Sequence, residues 1–329
     1  MKKFHLTALI LGIAILMFLI WKIGPAALWH DFYLLGWGLV PFILMEGIVK
    51  IFHTAAWRQC LTHPHSSLPF FRLYNIDLAG GAINYFTPTA TVGGEVVKGM
   101  LLAAEHQGPG AATGVIINKL SYALSQFVTA LIGSLIVIRQ ISLPAYGYWA
   151  LLAGNLFLGA GLAGFLIVQY QGKLGAALRW LATRMRLDSL KRAAAYITEI
   201  DQDLRKFYRD NPRGLWASIG WHLSGFVVSM LKTWYFLSLF TNDNFTTAAA
   251  VWLLATWLDL LVFFIPLEIG LQESIRVMVF SVLGFTTALG LTYGIALRLE
   301  QIFWGVAGLG VYWAIMPDSR IKAVPTGEG

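Results

Sequence analysis

Phe86-Thr-Pro-Thr-Ala-Thr-Val-Gly-Gly-Glu-Val-Val-Lys98 places a proline, two adjacent glycines, a carboxylate and an ammonium inside a run that is otherwise apolar. In hydrocarbon every backbone N–H and C=O must be satisfied within the protein, so broken backbone is tolerated there only where it is buried or lines a cavity. A second stretch, Pro266-Leu-Glu-Ile-Gly-Leu-Gln-Glu-Ser-Ile-Arg276, repeats the order of proline, glycine and Glu-x-x-basic. We read the two as halves of one intramembrane site. Paired Gly/Pro-interrupted segments at matching places in two halves of a chain are a sequence pointer to a transporter's binding site.

The surrounding composition sets the medium. Apolar residues make up 57% of the 329 and charged residues 12%, half the charged share of an ordinary soluble domain. The expectation is an all-α, polytopic transmembrane bundle of about seven or eight spans. Thirteen tryptophans and twelve tyrosines suit interfacial belts. The net charge of +7 is concentrated, because ten of the 24 Lys and Arg lie between Lys173 and Arg213. That clustering marks a cytoplasmic loop and secondarily a contact with anionic lipid. It gives no support to nucleic-acid binding.

In chain order, Lys2 and Lys3 hold the start of a first span, Phe4 to Ile23, on the cytoplasmic side, where it reads as a retained signal anchor. The second span, Leu34 to Trp57, carries Glu46, Lys50 and His53 at spacings that share one helical face. They form either a self-neutralising pair or the lining of a polar cavity. Residues 70–104 are broken by Gly80-Gly81, Pro88 and Gly93-Gly94. Two pieces of about fifteen residues reach only ~22 Å, short of the ~30 Å core, so a re-entrant hairpin is expected. Spans at Ala111 to Ile138 and Gly147 to Gln169 follow, and then residues 172–213, where two leucine-rich stripes predict amphipathic cytoplasmic helices. Leu215 to Phe240 carries His222 and Lys232, and Thr246 to Ile265 returns with Asp259. The second broken segment, 266–284, either re-enters or crosses, and with it the side of the C-terminus stays open. Leu289 to Ile315 closes a single bundle over 1–316, followed by a polar tail at 317–329.

The single cysteine, Cys60, excludes an internal disulfide. With His63 and His65 it lacks a fourth ligand, so neither a metal nor another cofactor is expected. The site residues expected from the two broken stretches are Gly93, Gly94, Glu95, Lys98, Thr87, Thr89 and Thr91 in the first and Gly270, Glu273 and Arg276 in the second. Glu46, Lys50, His53, Asp259 and Glu268 stand as secondary cavity residues. If each stretch starts a short helix, its free amides and positive dipole end offer a place for phosphate or carboxylate. Lys98 and Arg276 would add cations. The bland alternative is that each Glu-x-x-basic unit is a salt bridge that only locks the break.

Ile83-Asn-Tyr-Phe-Thr-Pro with Val92-Gly-Gly-Glu-Val-Val-Lys-Gly-Met-Leu-Leu102, and later Pro266 with Ile269-Gly-Leu-Gln-Glu-Ser274, resemble the two signature stretches of the flippase-like family related to the membrane region of lysylphosphatidylglycerol synthase. Gly-Gly-Glu-Val-Val-Lys is most similar to its hopanoid-locus branch. The resemblance runs through Tyr293-Gly-Ile-Ala-Leu-Arg-Leu-Glu300, and it departs from the family where Pro-Leu-Glu-Ile-Gly puts Glu268 in a run that is often Pro-Gly-Gly-like. It implies a multi-pass protein of the bacterial inner membrane that moves lipids or lipid-linked molecules between leaflets. The partners implied are a phospholipid, a polyprenyl-phosphate-linked or a hopanoid-related lipid, with lipid-synthesis enzymes alongside. The synthase's soluble aminoacyl-transferase domain is not expected, so lysyl transfer is not inferred. The competing readings are an intramembrane transferase acting on a lipid head group and a non-catalytic scaffold of a lipid-synthesis complex.

Overall fold

The computed structural model describes residues 14–62, 64–87, 92–105, 110–140, 145–171, 200–262 and 269–316, with Lys173, Ala176, Trp180, Thr183 and Arg184 between. Thr89, Thr91, Glu268, His63, the polar tail and most of 172–199 lie outside these residues. Among the described residues every regular element is helical, as the composition predicts.

The first helices are α1 (Ala14–Ile23) and α2 (Pro25–Leu35), which leads through a 3-10 turn at Gly36–Gly38 into α3 (Leu39–Gln59). Next come α4 (Phe70–Phe86), α5 (Val92–Glu105), α6 (Gly110–Gln140) and α7 (Ala145–Tyr170). After α8 (200–210) follow α9 (Pro212–Ser238), α10 (Phe245–Val262), α11 (Leu271–Val282) and α12 (Thr287–Ile315). Local chemistry sets several boundaries. Asn211 accepts from the Gly214 N–H at 3.0 Å just before Pro212, and Thr286 accepts from the Leu289 N–H at 3.2 Å. Both are side-chain caps that satisfy amides left over at a helix start. Gly270 and Gly284, at φ +76° and +87°, take the left-handed backbone that begins and ends α11.

Among the described residues, four stretches are long and apolar enough to cross a bilayer: Pro25–Gln59, Gly110–Arg139, Gly147–Tyr170 and Pro212–Ser238. α12 has similar length but buries Glu300 in its middle.

The two broken stretches fold as antiparallel hairpins. In the first, Arg72 of α4 bonds Glu105 of α5 at 2.7 Å, Asp77 meets Lys98 at 2.7 Å, and Asn84 near the tip accepts from the Gly94 N–H at 2.7 Å. In the second, Asp259 of α10 holds Arg276 of α11 through two 2.7 Å bonds. The second hairpin therefore begins at Phe245. α10 lies within the stretch read as a returning span, Thr246 to Ile265, and α11 within the broken segment read at 266–284.

The halves pack on each other in reverse. Along the α3–α9 seam the Gln59 carbonyl lies against Gly214, His53 meets His222, Glu46 meets Lys232, Phe42 meets Phe236, and Gly38 faces Leu239. The contacts are reciprocal: α4 packs on α12 as α10 packs on α6, and α12 touches α3 as α6 touches α9. Helices α3–α6 and α9–α12 are thus two copies of one four-helix unit with equivalent helices antiparallel, an inverted repeat. The two hairpins enter from opposite ends of the bundle.

α12 runs alongside α3 and ends with Ile315 near the cluster of Trp57, Cys60, Leu61 and Leu204. Its described end is therefore at the Arg58 end of the molecule. α8 packs Ile200, Leu204 and Phe207 into the same cluster, which is the amphipathic stripe expected for the polar region.

Candidate functional site

The sequence-predicted residues fall into two charge quartets with the same wiring. In the first half, Lys98 of α5 bonds Asp77 of α4 at 2.7 Å, and Glu95 reaches Lys119 of α6 at 3.2 Å. In the second half, Arg276 of α11 bonds Asp259 of α10, and Glu273 receives Arg298 of α12 at 2.9 Å. Each Glu-x-x-basic unit thus spends its cation on the helix before it and its carboxylate on the helix after it. Matching members lie roughly 180 residues apart along the chain. Glu95 and Lys98 also approach each other at 3.5 Å. Glu273 instead turns its second oxygen back to the Gly270 N–H at 2.7 Å.

At each helix start one of the amides expected to face an anion is already bonded within the chain. The Gly94 amide is taken by Asn84 and the Gly270 amide by Glu273. A carboxylate from the chain itself answers the positive end of α11, which is where an acidic side chain is most stabilising. Glu273, Arg276 and Lys98 are all buried. Thr87 donates from its hydroxyl to the Ile83 carbonyl at 2.5 Å, closing α4. The quartets clamp both hairpins to their neighbours.

An open polar cleft lies elsewhere, and of its lining Glu46 and Lys50 are the residues expected from the sequence as secondary cavity residues. Between α3, α4 and α12 is a cleft of about 130 Å³ lined by Glu46, Lys50, Tyr85, Glu300, Gln301 and Trp304. That volume holds several waters and not a whole lipid head group with its glycerol. Gly81 and Ala82 form its α4 wall, where larger side chains would fill it. At its floor the Lys232 ammonium of α9 donates to Glu46 Oε2 at 2.7 Å and to the two Glu300 oxygens at 2.9 and 2.8 Å. One lysine thus joins both halves of the repeat, with the Lys232 and Glu300 side chains 4% and 5% exposed. Lys50 sits at the rim, 3.8 Å from Glu46 and 6.0 Å from the Trp304 ring centre. Trp304 is fixed by its indole N–H, which donates to the Ile43 carbonyl at 2.9 Å, and it lies flat against Gly47.

Arg298 connects the cleft to the second quartet, since it bonds Glu273 and also reaches Gln301 at 3.3 Å. On the other side of the α3–α9 seam, His53 Nδ1 and His222 Nδ1 are 2.8 Å apart, and His222 Nε2 bonds Asn118 Oδ1 at 3.1 Å. Thr54 of α3 donates to Asp77, bringing the first quartet within one turn of that pair. Sequence reasoning noted Lys232, Arg298 and Glu300 but gave them no role, and it missed Asp77 and Lys119. A signal was available: an Asp on the helix before each break and a basic residue about two dozen positions after each Glu. No metal-sized cluster of His, Cys, Asp and Glu occurs among the described residues.

An all-helical bundle with buried ion pairs, long apolar helices and a charged cleft between inverted halves defines a polytopic membrane protein, since ionisable groups in such a setting face the bundle interior or water. The chain belongs to the family of the lysylphosphatidylglycerol synthase TM region, which matches residues 6–310. It is accordingly a membrane protein related to lipid chemistry. No curated protein and no solved structure matches it.

Proposed function

We propose that the protein is a lipid translocase of the bacterial inner membrane, with its N-terminus cytoplasmic, in which the cleft between α3, α4 and α12 carries a lipid head group while the acyl tails stay in hydrocarbon. The observation that supports this reading is the cleft itself: Glu46, Lys50, Glu300 and Gln301 line a polar notch between α3, α4 and α12. Charged groups at that depth carry a cost that a purely structural helix pair avoids with apolar packing. The two hairpins, entering from opposite ends, act as re-entrant gates on either side of the notch. The small volume seen here is then that of a closed arrangement, and separation of α4 from α12 enlarges it. The quartets of Glu95, Lys98 and their partners, and of Glu273, Arg276 and theirs, hold each gate to its own half. The substrate is a phospholipid or a lipid-linked head group.

The test is leaflet transfer in liposomes carrying a trace of head-group-fluorescent phospholipid, bleached from outside by a membrane-impermeant reductant. Reconstituted protein exposes the inner-leaflet label to bleaching, and Lys50→Gln slows that exposure at equal insertion. Transfer by the variant at the wild-type rate would remove the cleft from the path. A transferase working on the same lipids would instead convert lipid and donor into a new product without moving label.

A further inference from the structure

The cleft has a charge balance that depends on one partly exposed side chain at its rim. Glu46 and Glu300 supply two negative charges, and Lys232 one positive charge that is fixed between them. The fourth charge is Lys50, whose 3.8 Å separation from Glu46 is the loosest contact of the set and whose side chain is 27% exposed at the rim. While Lys50 stays, the group is neutral. An incoming phosphate recruits the exposed ammonium first, because Lys232 is enclosed by its two carboxylates. Glu46, Glu300 and Lys232 are then left with one uncompensated negative charge, and with Lys232 and Glu300 only 4% and 5% exposed that charge is poorly solvated on the Glu300 side.

We propose that the cleft binds an anionic phosphate head group together with one proton, taken from water and held on the Glu46–Glu300 carboxylates. This rests on the translocase reading for the choice of a lipid phosphate, and it makes transfer proton-coupled at one proton per lipid. The other titratable groups around these carboxylates are His53, Tyr74, Tyr85, Tyr122 and Tyr293. His53 of α3 is bonded to His222 at 2.8 Å, and Tyr293 of α12 shares a 2.8 Å bond with the Thr233 hydroxyl. Tyr85 of α4 is a phenol at the rim, and Lys232 is the sole ionisable contribution of α9 to the triad among the described residues. The proton therefore goes to a carboxylate. A head group that brings its own ammonium replaces the missing Lys50 charge and needs no proton.

The experiment is calorimetric titration of the detergent-solubilised full chain with dihexanoyl-phosphatidylglycerol, repeated in two buffers of different ionisation enthalpy. The expected result is uptake of one proton per lipid and affinity that weakens about tenfold per pH unit above neutrality, since a proton bound with the ligand is lost as pH rises. Dihexanoyl-phosphatidylcholine is expected to take up none. Glu300→Gln mimics the protonated carboxyl, so its proton uptake and pH dependence should vanish while phosphatidylglycerol binding persists. If that variant does not fold, the two-buffer titration of the unmodified chain decides alone. Equal uptake with both lipids, uptake with neither, or affinity that follows sodium concentration and not pH overturns the proposal. Proton-linked binding without leaflet transfer overturns translocation and leaves the linkage standing, whereas failure to bind either lipid overturns both.

Discussion

Replacing Gly94 by alanine should loosen the first hairpin more than any other single methyl group added to α5. A Cβ at Gly94 would fall within contact of the Gly80 carbonyl oxygen and 2.5 and 2.6 Å from the Asn84 side chain. The obstructing oxygen is backbone, so rotamer changes cannot relieve it, and α5 must move away from α4. Overpacking of this kind costs about 1–3 kcal/mol. The shift also breaks the 2.7 Å bond from the Gly94 N–H to Asn84, a further loss of about 1 kcal/mol. Helix propensity returns at most about 1 kcal/mol for Gly→Ala, leaving a net loss of about 2 kcal/mol. The control is Gly99→Ala one turn on, where an added Cβ meets nothing within 4 Å and propensity alone gives a gain of about 0.5–1 kcal/mol. Equilibrium unfolding in mixed micelles with increasing dodecyl sulfate measures both variants. The predicted order places Gly94→Ala below the unmodified protein and Gly99→Ala above it. Equal stabilities for the two variants would refute the backbone contact between Gly80 and Gly94.

Other expectations follow from the ion pairs and the topology. Lys232→Met leaves Glu46 and Glu300 facing each other without a cation and should cost about 3–5 kcal/mol, most of it recovered when Glu300→Gln is added, as read by the same unfolding titration. Asp77→Asn should destabilise less than Asp259→Asn, because Lys98 keeps Glu95 at 3.5 Å whereas Arg276 loses both bonds of its bidentate pair; an equal or reversed order would refute that reading. Gly47→Val should push the Trp304 ring, whose atoms would lie 2.8 and 2.9 Å from a new Cβ, into the cleft, so leaflet transfer should fall while the protein stays folded. In a background with Cys60 replaced by serine, single cysteines at Glu105 and Gly284 should react with a membrane-impermeant maleimide from opposite sides of sealed vesicles, since the hairpins open at opposite ends. Reaction from one side only would refute the inverted arrangement.

Much of the architecture was legible in the sequence. The apolar runs and their breaks locate α3, α6, α7, α9 and α12, and α4 and α5 on either side of the first break pair through Asp77–Lys98 and Arg72–Glu105. The second break was harder. Phe245 to Val262 is apolar apart from three threonines and Asp259 and long enough to resemble a span, so its pairing with α11 emerges only from Asp259 meeting Arg276. The site shows a similar division. Glu-x-x-basic invites pairing within its own turn, and Glu95 does approach Lys98, yet the closest partners of Lys98 and Arg276 come from the preceding helix. Such partners are set by the packing of helices distant in sequence, which periodicity does not encode. Glu46 and Lys50 were readable as a pair on one helical face, whereas the lysine that binds Glu46 most closely stands 186 positions away.

The position of α7 also has a consequence for how such a chain is assembled. Phe127 of α6 lies against Gly159 of α7 and Ser134 against Asn155, so α7 returns antiparallel to α6 before α8 and α9 begin. This one extra traverse between two four-helix units is what turns the second unit upside down. Without it, α9 would start from the far end, both hairpins would open on the same face, and Lys232 would point away from Glu46. The helix with few polar contacts of its own therefore decides by parity which way the second half is threaded.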